Sequence, residues 1–99
     1  MFKRGTQVMY APEYARDEKG MINEAHPAVE YGFITKYKRG DALARVRYFR
    51  KDSDDLRTKS GSELTPIASL FEYNSRPQEV IDKLLLEIEN NWHELPMNV

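Results

Sequence analysis

Ninety-nine residues make one domain with a single core and leave no length for a second. The absence of cysteine excludes disulfides and thiolate metal centres, and no stretch approaches the roughly 20 apolar residues of a membrane-crossing helix. Net charge is −1, but residues 1–51 carry 11 Lys and Arg against 6 Asp and Glu, whereas residues 52–99 carry 4 against 10, so the halves are expected to attract one another. A soluble, cytoplasmic chain with no membrane association follows as the expectation.

The first element is a short strand over residues 5–10, GTQVMY, with Thr6, Val8 and Tyr10 on one face and Gln7 and Met9 on the other; Pro12 ends it. From 11 to 25 the pattern dissolves into a polar segment, APEYARDEKGMINEA, long for a connection in a small barrel. Long loops of this kind are more often functional than idle, so a specificity element is expected here, with Tyr14, Arg16, Lys19 and Met21 as protein-binding residues.

Residues 26–50 then read as a β-hairpin. The run 29–36 places Val29, Tyr31, Phe33 and Thr35 on one face and Glu30, Gly32 and Ile34 on the other, and neither face is polar. Such a strand needs a cover on each side. The run 43–49 alternates Ala44, Val46 and Tyr48 against Arg45, Arg47 and Phe49, which predicts one wet face. Gly40 supplies the turn between them.

The charged run 50–55 is expected to be an exposed, flexible turn. A short strand over 56–59, one helical turn over 60–64 and a last strand from Thr65 to about Tyr73 complete a five-stranded SH3-like barrel, residues 1–73 of the single domain 1–99. The predicted helix spans 75–95. Ser75 and Gln78 have capping-box spacing, Pro77 fits the first turn and Pro96 stops it. Val80, Ile81, Leu84, Leu85, Ile88, Trp92 and Leu95 share one arc, expected to dock over Tyr31 and Phe33 or on a second copy. Leu86 stands among Asp82, Lys83, Asn90 and His93 on the polar side.

The strings Gly5-Thr6-Gln7-Val8-Met9-Tyr10-Ala11-Pro12, His26-Pro27-x-x-Glu30-x-Gly32-x-Ile34-Thr35 and Val46-Arg47-Tyr48 together resemble small barrel proteins of bacteriophages and prophages, mostly without assigned function. The resemblance covers about residues 5–67 and implies a phage origin and a barrel. Relatives tend to carry a His after the first strand and a Cys after His-Pro; this chain has Tyr14 and Ala28 or Val29 in those neighbourhoods.

His26 with Asp17, Glu24 and Glu30 is the one cluster resembling a chemical site. It has a single histidine, and two of its carboxylates lie in the loop, so it makes a poor metal or catalytic centre. The simpler reading has the imidazole bonded to loop backbone and Glu30 pairing a basic neighbour such as Arg47. No metal, cofactor or catalytic set is assigned, and the chain is read as a non-enzymatic binding protein. In that reading it occupies a surface of a host protein in the bacterial cytoplasm, inhibiting a defence or regulatory system through the 11–25 loop and through Leu86, Glu87, Glu89 and Trp92 of the helix. A homodimer through the helix is a further expectation. The alternative is nucleic-acid binding by Lys36, Lys38, Arg39, Arg45 and Arg47, which are interleaved with aromatics; a pocket for a small signalling nucleotide is a third reading.

Overall fold

The computed structural model describes residues 2–58 and 61–90. Five strands, β1 (Gln7–Tyr10), β2 (Glu30–Lys36), β3 (Leu43–Tyr48), β4 (Glu63–Pro66) and β5 (Leu70–Glu72), precede one helix, α1 (Gln78–Asn90). The strands form one antiparallel sheet in the order β4-β3-β2-β1-β5, curled into a half-barrel.

The two-residue period sorts side chains between the faces of this sheet. Val8, Ile34, Ala44, Val46, Tyr48 and Leu70 fill the concave side, with Tyr10 and Tyr37 packed against them. On the convex side Phe33 and Phe49 meet Ile81 of α1, and Leu56, Val80, Leu84, Leu85 and Ile88 close round them. β2 is therefore covered on both faces, as its sequence required. Tyr31 does not lie under the helix. It joins a third cluster with Met9, Ala11, Ala15 and Val29, and its ring lies 5.3 Å from that of Tyr73.

Gly32 is fixed by crowding. A Cβ there would sit 2.1 Å from the carbonyl oxygen of Arg47, so no larger residue fits without moving the backbone of β3.

Three expected elements move. Residues 56–58 do not form a strand, and Lys59 lies outside the described residues: Leu56 makes one isolated bridge to Phe49, and the hydroxyl of Thr58 accepts the Tyr48 amide at 2.9 Å, taking the place of a backbone partner. The fourth strand is instead Glu63–Pro66, and the single helical turn is a 3₁₀ turn at Ile67–Ser69. Ser60 lies outside the described residues. The helix starts at Gln78, and Ser75 Oγ accepts from the Arg76 guanidinium at 2.9 Å; Gln78 donates to Gly5 O and Asp82. The side chain that reaches back is thus tying α1 to the start of β1. The expected continuation to Leu95, with Trp92, also falls outside the described residues.

Candidate functional sites

The 11–25 segment is not irregular. Its base is sunk in the third cluster through Ala11, Ala15 and the neighbouring Val29. A 3₁₀ turn at Glu13–Ala15 is followed by a miniature hairpin, bridged at Arg16 and Ile22, with Gly20 at φ 81° in its turn. The Asp17 carboxylate accepts the amides of Lys19 and Met21, each at 2.9 Å, which closes the turn from inside.

On this base Tyr14 is 72% exposed and Met21 67% exposed, and Lys19 is also at the surface. Tyr14 meets the His26 ring edge-on at 5.6 Å. Arg16, expected as a contact residue, is instead a brace: its guanidinium donates to Ala11 O and rests over the ring of Phe71.

The groups that resembled a chemical site are each otherwise employed. His26 Nδ1 accepts the Ala28 amide at 3.0 Å, so the imidazole is bonded to loop backbone as expected. Glu24 accepts from the hydroxyl of Tyr31 at 2.7 Å. Burial first, then this bond to Glu24, pushes the Tyr31 phenol up to about 12. Glu30 pairs with Arg57 through two bonds, at 2.7 and 3.1 Å, and not with Arg47. Among the described residues no three His, Asp or Glu side chains converge as metal ligands do.

The basic hairpin divides. Arg47 is 4% exposed and donates to Thr58 O, so it cannot serve as a surface cation. Burial takes this residue out of the expected nucleic-acid set. Lys36, Lys38, Arg39 and Arg45 do face solvent, and none of them forms an ion pair among the described residues. The aromatics are not available for base stacking: Tyr48 and Phe49 are buried, and Tyr37 is packed against the concave core with its hydroxyl on Asp41 O.

A β-bulge decides where Lys36 points. Ile34 pairs with Val46, yet Lys36 pairs with Arg45, so Thr35 is the extra residue. Without the bulge Lys36 would oppose Ala44, in the concave core. With it, Lys36 turns to the convex face and Tyr37 turns inward. Lys36, Arg45 and Leu64 then form a row across three strands, since Arg45 also pairs with Leu64. With Tyr37, Lys38 and Leu43 they line a groove of about 520 Å³.

The sequence reading did not single out Leu43 and Leu64, which are 43% and 56% exposed. The signal for the bulge was available: strict alternation from Ile34 would have placed a lysine in an apolar interior, and that conflict predicts a slip. Leu86 and Glu87 are exposed on α1; Glu89 is too, and pairs with Arg4 at 3.0 Å.

Set against protein-family models, curated proteins and solved structures, the chain has no match.

Proposed function

We propose that this chain is a non-enzymatic, protein-binding module of phage type on an SH3-like barrel, and that it acts by occupying a surface of a bacterial host protein. The strand order, with a 3₁₀ turn between β4 and β5, supports the barrel reading. The phage reading rests on the motifs of β1 and the hairpin.

The observation that carries the binding role is the 11–25 platform. A buried base and an internally bonded turn hold a large aromatic and a methionine out in water. Exposed Tyr and Met on a rigid support lose little conformational entropy on docking, and both are enriched in protein interfaces. Lys19 stands in the same hairpin.

The test is capture from nuclease-treated bacterial lysate on immobilised protein, in parallel with a Tyr14→Ser/Met21→Ser variant. One stoichiometric protein held by the parent and lost by the variant is expected. Equal capture by both, or capture of nucleic acid alone when nuclease is omitted, overturns the proposal. Both side chains lie outside the core, so the variant folds.

A further inference from the structure

The convex face carries two features side by side that complement each other. The first is the groove floored by Leu43 and Leu64 and walled by Lys36, Lys38 and Arg45. Lys36 and Arg45 stand directly opposite across β2 and β3, where like charges repel; Asp41 also lines the groove, but neither cation forms an ion pair among the described residues, and three cations there face one carboxylate. An anionic group seated there would remove that repulsion. The two exposed leucines ask in addition for an apolar side chain, which a phosphate backbone does not offer.

The second feature is the outer face of α1. At about 100° per residue Leu86 lies about 140° round from the buried Ile81, and Glu79, Asp82 and Glu89 flank it within about 60°; Lys83 is the one cation in that arc, and Glu89 is paired with Arg4, so the face is net acidic. Leu86 is 59% exposed. This face is an acidic ridge with a leucine at its centre, the converse of the groove.

Both features belong to the same side of the sheet, because Phe33 under α1 and Lys36 and Arg45 in the groove all point to the convex face. The helix stands above the sheet by about its own diameter, ~10 Å, so the groove lies at the foot of a step. We propose that two copies of this chain associate through these features, Leu86 and the acidic ridge of one entering the basic groove of the other. A two-fold axis between helix and groove lets each copy supply both halves of the contact, which closes the assembly as a dimer.

The experiment uses the full chain and two charge-reversed variants. One is Lys36→Glu/Arg45→Glu, the other Glu79→Lys/Asp82→Lys, and all four side chains are exposed. Mass in solution is measured by sedimentation equilibrium, at low salt and at about 1 M salt, where screening leaves a Debye length of about 3 Å. The parent chain is expected to dimerise at low salt and to bind itself about tenfold more weakly, or worse, at high salt.

Each variant alone is monomeric, since its ridge and groove now carry the same sign. Mixed in equal amounts they form a heterodimer, because each ridge again meets a groove of opposite charge. Leu86→Glu on its own weakens the parent dimer about tenfold or more. A monomeric parent at all concentrations, dimerisation indifferent to the reversals, or two variants that stay monomeric when mixed each overturn the proposal. So does a groove that captures nucleic acid in a salt-dependent way while the protein remains monomeric.

Discussion

The two ends of β3 are flanked by the same residue types and use them in opposite ways. At and beyond its C-terminal end four cations turn onto the protein. Arg47 donates to Thr58 O, Lys51 to Pro27 O and Val29 O, Arg57 bridges Glu30 and Glu63, and Arg76 lies 3.9 Å over the ring of Phe49 while donating to Ser53 O and Asp54. At its N-terminal end Lys36, Lys38, Arg39 and Arg45 face water. The difference lies in the supply of acceptors. Residues 50–58 present carbonyls and carboxylates that the sheet leaves free, whereas the β2–β3 turn uses its own: Lys38 O accepts the Asp41 amide and Asp41 O accepts the Tyr37 hydroxyl. A cation becomes structural where neighbouring acceptors lie within its reach in a fixed geometry.

Removing Arg76 breaks the engaged end most severely. Its backbone is held by both ends of the Gln7 amide, at 2.7 and 3.1 Å, and its side chain fastens the 50–55 turn to Phe49. That turn, expected to be flexible, is tied down by Arg76 from one side and by its own Lys51, which reaches Pro27 O and Val29 O, from the other. Arg76→Ala should cost about 3 kcal/mol in urea unfolding, because several charge-assisted bonds and a cation–π interaction disappear together. A cost below about 1 kcal/mol would make the clamp ornamental. Arg57→Ala is the milder version. Its side chain is 42% exposed, so water screens its two ion pairs and the expected cost is about 1 kcal/mol.

Alkali separates the ends by another route. Burial holds the phenols of Tyr48, Tyr31 and Tyr10 above the ordinary 10.0, with the Glu24 bond adding to the rise at Tyr31. A raised folded value means that the neutral form is favoured by folding. Stability from these groups is intact below pH 10.0, where the unfolded phenols are still protonated, and falls as pH rises through the folded value, about 12 for Tyr31. Urea midpoints measured upward from pH 10.0 should fall over that window, and Tyr31→Phe should flatten part of the fall. Phenolate absorbance should show Tyr48, Tyr31 and Tyr10 ionising above pH 10.0. Midpoints that hold level to pH 12 would contradict the burial argument.

The regular parts were legible because their patterns are local. The period of two over residues 29–36 demanded two covers, and the heavier apolar arc of the helix provided one of them. Residues 56–64 misled because strand there depends on where β3 runs out of partners, a tertiary fact: Thr58 bonds the Tyr48 amide through its side chain and ends the ladder. Arg76 and Arg57 carried no signal, since an arginine beside a turn looks the same whether it is solvated or clamped. In the candidate surfaces, Tyr14 and Met21 were found because the loop was long, but its order comes from alanines sinking into a cluster that no local pattern announces. Arg47 looked like its exposed neighbours for the same reason.

The smallest effect tests the free end. Lys36 and Arg45 form a directly opposed pair of like charge, and opposite charges at such positions stabilise by about 0.2–1 kcal/mol. Lys36→Glu should therefore raise the stability of the isolated chain by a few tenths of a kcal/mol, with the gain shrinking in salt. The doubly reversed Lys36→Glu/Arg45→Glu chain keeps a like-charged pair and should match the parent. If the single variant is less stable than the parent, Lys36 is held by something within its own fold, and the distinction between the two ends of β3 fails. If it is more stable yet no longer self-associates, the exposed cations are kept at a cost to the fold, which is what a surface retained for binding requires.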